Sequence, residues 1–428
     1  MYCIIVLIIE LLICTILKML GIDPISDFLA IFFIFLFTIA YSVDLDECEK
    51  LTVFRKPLMA GYLLRIALLL FDRYGQNIYH LPNSGADSEV FYNTAALQAQ
   101  GILPSRSGGA GFIVLFRMLF RMIGINRVIA QFIVMLFSIV ALCVVAFTID
   151  ELDISNKQKI RSFSVLSLLP NFAILSSIFL RESIVMMFIT ISFYFYVQYY
   201  FGKSYINIVF CFISIIISML FHSGTVGFII GYVIVLILDN RKEGIEYKRV
   251  FNLVVAVIFG FISIYLYTRY GELFFQKFLG VDNLSDIANT LEAGGSSYAR
   301  YVGNSDTIGN MLLYTCPRFL FFLFSPFPWQ WRGISDIIAF VFSGMYYIVV
   351  VFLSVRYILL KESKNRNLAI TTMIILTCAV FVFAWGVSNT GTAIRHRDKM
   401  ICVFAVLHAI CLNPERIVNI TAGDRILI

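Results

Sequence analysis

Apolar runs of about twenty residues recur along this whole chain, and each is long enough to cross the hydrocarbon core of a bilayer as a helix. Read in order they are Tyr2–Leu20, Phe28–Val43, Leu58–Tyr74, Arg127–Ile149, Ser162–Phe179, Ser183–Phe201, Ser204–Phe221, Gly224–Leu238, Val250–Thr268, Asp336–Leu360, Leu368–Val387 and Met400–Leu412. With a mean hydropathy of +0.87, 60% hydrophobic and 14% charged residues, the 428-residue chain is excluded from the ordinary soluble class. The expectation is an all-α polytopic membrane protein, one transmembrane domain over 1–428 with about twelve helices.

Two apolar stretches, Phe112–Ile125 and Met311–Ser325, are short for a full span and read as interfacial or re-entrant segments. Charge supports that reading. Lys50/Arg55/Lys56, Lys157/Lys159/Arg161, Arg241/Lys242/Lys248/Arg249 and Lys361/Lys364/Arg366 fall on one side only if neither short stretch crosses. By the positive-inside rule that side is the cytoplasm, with both termini. The loop 75–126, with interfacial helices, and the long loop 269–335, with its re-entrant segment, then lie outside. So do Arg181-Glu182, His222-Ser223 and Asn389–Lys399. The net charge of +6 is too small for a nucleic-acid partner. Nine scattered cysteines without a CxxC match neither a disulfide framework nor a metal site. The N-terminus lacks a basic region and cleavage site, so Tyr2–Leu20 reads as a retained first helix.

Charge beside hydrocarbon is costly and raises a functional hypothesis. Asn389–Lys399 carries Arg395, His396, Arg397 and Lys399, and a guanidinium fork suits phosphate oxygens. Gly391 is placed to turn the backbone tightly. Asp87 and Glu89 open an expected helix running to Gly101, either as caps for its dipole or as a general base. Arg117 and Arg121 lie four apart on one helical face, as a headgroup anchor or as a wall of a phosphate site. Arg181 and Glu182 share a tight turn, where they could simply pair. His222-Ser-Gly closes the next hairpin on the same side. The segment Gly271–Asp306, with Arg300 inside Gly294–Tyr301, has the composition of a sugar-stacking lid. Arg318 and Arg332 bracket a short element containing Pro317, Pro326, Pro328, Trp329 and Trp331. It reads as an aromatic belt or as re-entrant backbone beside a cavity.

Asp87, Tyr92 and the small-residue helix after them resemble the GT-C class of lipid-dependent glycosyltransferases. Arg181, Lys203 and His222, with Asn-Thr-Gly-Thr-Ala-Ile-Arg-His-Arg before the final helix, resemble bacterial polysaccharide and O-antigen polymerases of the Wzy and EpsG kind. The resemblance implies an enzyme of the outer face of the bacterial cytoplasmic membrane. It would polymerise undecaprenyl-pyrophosphate-linked repeats into O-antigen, capsule or exopolysaccharide. Arg181, Arg300, Arg318, Arg395 and Arg397 would hold the lipid pyrophosphate, and Asp87, Glu89, His222 and His396 would handle the proton. No cofactor is required, although two carboxylates in one loop leave room for a divalent cation. The implied partners are lipid-linked oligosaccharide and membrane lipids, with a flippase and a chain-length regulator as candidates. A GT-C transferase using a polyprenyl-phosphate sugar is the enzymatic alternative, and a flippase or transporter the non-enzymatic one.

Overall fold

The computed structural model of the chain describes residues 1–22, 26–102, 110–238, 254–255, 257–262, 265, 298, 308–360 and 365–412. Arg300, the loop Arg241–Arg249, Lys361, Lys364, most of the expected span Val250–Thr268 and all of Gly271–Asp306 except Tyr298 lie outside these residues.

The described chain is helical. Its elements are α1 (Tyr2–Met19), α2 (Asp27–Glu47), α3 (Arg55–Tyr74), α4 (Ala86–Ala99), α5 (Ala110–Ile123) and α6 (Arg127–Asp150). They continue with α7 (Asn156–Leu168), α8 (Pro170–Ser177), α9 (Glu182–Tyr200), α10 (Ile206–Phe221), α11 (Val226–Leu238) and α12 (Ile308–Phe324). The last four are α13 (Ile334–Leu359, with a π-helical turn at Phe340–Gly344), α14 (Arg366–Trp385), α15 (Thr390–Asp398) and α16 (Ile401–Cys411). Six of them, α1, α2, α6, α9, α13 and α14, are long and apolar enough to cross a membrane. The bent pair α7–α8 makes a seventh candidate, and α10, α11, α16 and the Leu313–Phe324 part of α12 are shorter apolar helices. α3 is as long but carries Arg55, Lys56, Arg65, Asp72 and Arg73.

The expected single helix Ser162–Phe179 is instead broken. Pro170 has no N–H and its ring collides with the preceding turn, so the chain bends by 52° between α7 and α8. The carbonyl of Ser167 is thereby left for another donor, and the buried Arg65 of α3 supplies it. Its Nη1 donates to Ser167 O at 2.8 Å and to Gly61 O at 2.9 Å, and its Nε donates to Ser176 Oγ at 2.8 Å. The guanidinium lies over the Phe172 ring at 4.5 Å. Gly61 makes the approach possible, since a Cβ there would stand 2.0 Å from Ser167 Oγ.

Polar groups collect at two ends of the bundle. At one, Glu151 after α6 bridges Lys50 at 3.5 Å and Lys203 at 2.5 Å, while Asp150 pairs with Lys159. At the other, Asp27 at the start of α2 receives Arg73 and Tyr74 from the end of α3, and Asn126 from the cap of α6. Lys18 at the end of α1 donates to the carbonyls of Phe120 and Arg121. Arg121 in turn donates to the last carbonyls of α4, Gln98 and Ala99. Lys203 is therefore separated from Arg181 by the 19-residue length of α9, roughly 28 Å at 1.5 Å per residue.

The short helices α4 and α5 are held at this second end by aromatic packing. Phe179, in the extended link between α8 and α9, meets Phe116 at 4.6 Å, Phe112 at 5.1 Å and Tyr92 at 5.6 Å between ring centroids. Such edge and tilted pairs add about 0.5–1.5 kcal/mol each beyond burial. The same link leads directly into Arg181 and Glu182, so α4 docks against the start of α9.

α11 and α14 touch backbone to backbone. A Cβ at Gly227 would lie 2.7 Å from Ala379 Cα, and one at Gly231 would lie 2.7 Å from Ile375 Cα. Glycines four apart permit such close helix contact in a membrane. Gly231→Val is expected to destabilise the detergent-solubilised protein by about 1–3 kcal/mol, the usual cost of overpacking. Gly333→Val, where an added Cβ meets nothing within 4 Å, is the control. Equal thermal unfolding midpoints for the two variants would contradict this packing.

Candidate functional site

The stretch Asn389–Lys399 forms a helix, α15, and Gly391, expected at a tight turn, sits in its first helical turn instead. The Asn389 side chain accepts from the backbone N–H of Gly391 at 2.9 Å and of Thr392 at 3.4 Å, which starts the helix at Thr390. Helical spacing then sorts the cations that look like one patch in the sequence. Arg395 and Lys399, four apart, share a face. Arg397 and Asp398 point elsewhere.

Arg395 is the centre of the cluster. Its Nη1 bonds Asp87 Oδ2 of α4 at 2.5 Å, and its Nη2 and Nε reach Glu182 Oε1 of α9 at 3.2 and 3.3 Å. Lys399 Nζ lies 3.7 Å from the same Glu182 oxygen. Glu182 and Lys399 are almost sealed, at 5% and 0% side-chain exposure, whereas Asp87 is half exposed. Arg181 adds a third cation. It donates to Phe221 O at 3.5 Å, its guanidinium stands 5.7 Å from the Phe91 ring, and its Nε has no hydrogen-bond partner among the described residues.

The two histidines meet in the same place. His222 and His396 pack edge to face with ring centroids 4.7 Å apart, and Phe383 of α14 touches both. His222 Nδ1 accepts from Gly224 N–H at 3.2 Å. His396 Nδ1 is buried without a hydrogen-bond partner among the described residues. Burial, with the charges of Lys399, His222, Arg395 and Arg181, holds the His396 pKa well below its usual value. The same burial and charges make His396 a poor proton acceptor. Burial also pulls Lys399 well down; Glu182 opposes this, and Arg181 and Arg395 add to it.

Three basic side chains, Arg181, Arg395 and Lys399, thus stand against two carboxylates, Asp87 and Glu182, and this crowding of positive charge is part of what pulls Lys399 down. An arriving anion would relieve that crowding and favour a charged Lys399. The carboxylate of Asp87, on the exposed side, could accept a proton.

Of the other residues marked in the sequence, Glu89 pairs with Arg127 at 2.7 Å, away from Arg395. Two helical positions turn a side chain by about 200°, so Asp87 and Glu89 leave α4 in different directions. Arg397 is fully buried and binds the end of α12. Its Nη1 donates to Leu323 O at 2.9 Å and Ser325 O at 2.5 Å, and its Nε to Ser343 Oγ at 3.1 Å. Asp398 beside it accepts from Asn171 Nδ2 at 2.6 Å and Tyr347 OH at 3.1 Å. Arg318 is buried over Trp385 at 4.3 Å. Arg397 and Arg318 therefore tie α12 to α13 and α14, while Arg332 is exposed. Trp329 is exposed and stacks on Phe327.

The structure brings Asp87, Arg181, His222, Arg395, His396 and Lys399 together, and adds Glu182 and Phe383 to them. Glu182 is visible in the sequence as a neighbour of Arg181, but its partner is Arg395, 213 positions away. Comparison of the chain with protein-family models, curated proteins and solved structures finds no match.

Removing one partner of a buried ion pair leaves the other charge uncompensated, at a cost of about 3–5 kcal/mol. Glu182→Gln should destabilise the protein by that order. Glu182→Gln combined with Lys399→Met should recover part of the loss, because the stranded cation is gone. Additive losses in denaturation of the purified protein would show that Lys399 and Glu182 are not coupled.

Proposed function

We propose that this protein polymerises undecaprenyl-pyrophosphate-linked oligosaccharide repeats into a surface polysaccharide, with its site at the outer face of the bacterial cytoplasmic membrane. The observation that carries this reading is the gathering of three basic side chains, Arg395, Arg181 and Lys399, beside a half-exposed carboxylate, Asp87. Guanidinium groups at a bundle end suit a lipid-borne pyrophosphate whose tail lies in the bilayer. A chain of about twelve crossings, with basic loops inside, puts that end outside.

In this reading the acceptor hydroxyl oxygen attacks the anomeric carbon of the donor glycan. The bond from that carbon to the pyrophosphate oxygen breaks, and undecaprenyl pyrophosphate leaves with the electron pair. The hydroxyl proton passes to Asp87, with His222 as the next acceptor. Arg395, Arg181 and Lys399 stabilise the negative charge that grows on the leaving group. In the free protein Arg395 is shared between Asp87 and Glu182. Pyrophosphate would compete for it and loosen its hold on Asp87, so that the base becomes available when the donor is bound.

The test is the size profile of lipid-linked and surface glycan in the native host, with the gene, without it, and with Asp87→Asn or Arg395→Ala. Loss of long chains with accumulation of single complete repeats is expected. The Asp87→Asn rate should fall about 10²–10⁴-fold, as for loss of a general base. Repeats lacking one sugar would indicate a single-sugar transferase, and complete repeats trapped on the inner face a flippase. Either outcome, or an unchanged profile, overturns the proposal.

A further inference from the structure

A second polar feature lies on the other side of α4. A cavity of about 370 Å³ is lined by Asp27, Asp72, Arg73, Glu89, Arg127 and Gln131, among others. None of these six residues bonds to Arg395, Glu182 or Lys399 among the described residues. The volume falls in the range of small-molecule sites.

Its carboxylates are already engaged. Asp27 accepts from Arg73, Tyr74 and Asn126. Asp72 is buried and accepts from Ser84 Oγ at 2.5 Å and from Gln131 Nε2 at 2.6 Å. Glu89 accepts from Arg127 Nη2 at 2.7 Å. These bonds fix two side chains of α6 that line the cavity and are each at least nine-tenths buried, Arg127 and Gln131. Arg127 is held further by the Tyr92 ring at 4.6 Å and the Phe179 ring at 5.4 Å. On each, one polar atom is buried with no hydrogen-bond partner among the described residues, Nη1 of Arg127 and Oε1 of Gln131.

Buried polar atoms without partners are rare and costly, about 1–3 kcal/mol each. Here one is a donor and the other an acceptor, and residues four apart on a helix are neighbours. A simple anion would meet three carboxylates, and a simple cation would meet two arginines. Hydroxyl groups both donate and accept, so adjacent hydroxyls of a neutral sugar ring satisfy the pair.

We propose that this cavity binds a neutral, hydroxyl-rich ring, with Arg127 Nη1 and Gln131 Oε1, sealed in the free protein, turning to read two of its hydroxyls. If the neighbouring cluster transfers glycans, as proposed above, this is the subsite for a sugar of the acceptor or donor. Only that role depends on the earlier reading; the binding does not.

The full chain in detergent is to be probed by saturation-transfer NMR with glucose, galactose, mannose, N-acetylglucosamine and rhamnose at millimolar concentration. At least one sugar is expected to give a signal. Affinity should fall about fivefold in Gln131→Leu, the effect of losing one neutral hydrogen bond, and persist in Arg395→Ala. Because Gln131 is fully buried, Gln76→Trp serves as a second variant. Gln76 is a partly exposed turn residue lining the cavity, and its replacement should block binding by bulk. No signal from any sugar, or signals unchanged in Gln76→Trp, would overturn the proposal. Sugar binding retained in a protein whose deletion leaves the cell's glycan unchanged would refute polymerisation alone.

Discussion

Arg395 joins three parts of the chain that are far apart in sequence. Its guanidinium takes Asp87 from α4 and Glu182 from α9, 308 and 213 positions away, and is itself carried by α15. Without that contact the first turns of the short helix α4 would be held by the Glu89–Arg127 pair and by aromatic packing to Phe179. The arrangement is not an economical way to stabilise a fold, since desolvating buried ions offsets most of their attraction. Its physical sense lies in what it leaves over, which is positive charge next to an exposed carboxylate.

The rest of the bundle positions that end. Arg65 fills the gap opened by Pro170, so α8 and the link Ile178–Leu180 deliver Arg181 and Glu182 to α4. Arg397 and Asp398 bind the end of α12 and the side chains of Asn171, Ser343 and Tyr347, and so fix the rotation of α15. Arg395 and Lys399 point into the cluster because those two neighbours are held elsewhere. The glycine contact between α11 and α14 sets the place of Phe383, against which both histidines pack.

Much of this was legible in the sequence. The apolar runs announce a helical membrane protein, and Asp87, Arg181, His222, Arg395 and His396 stand out as polar residues at helix ends. What periodicity could not show is which member of a charged run faces inward. Arg395 and Arg397 look equivalent until α15 forms and turns them about 200° apart; the same rotation separates Asp87 from Glu89. Glu182 reads as a local partner of Arg181 because sequence shows only neighbours. Asp72 and Gln131 were hidden for another reason. They lie inside apolar runs, Leu58–Tyr74 and Arg127–Ile149, where one polar residue barely alters the hydropathy. Pro170 was a readable signal for the break between α7 and α8, and the length of the apolar run outweighed it.

The central claim is that the Arg395 cluster holds the phosphate of a polyprenyl carrier. Native mass spectrometry of the purified protein with undecaprenyl phosphate tests it directly, comparing wild type with Arg395→Ala. A charge-assisted bond contributes about 1.5–3 kcal/mol, so bound lipid should weaken by about tenfold or more in the variant. Equal retention of the lipid by both proteins would contradict the account.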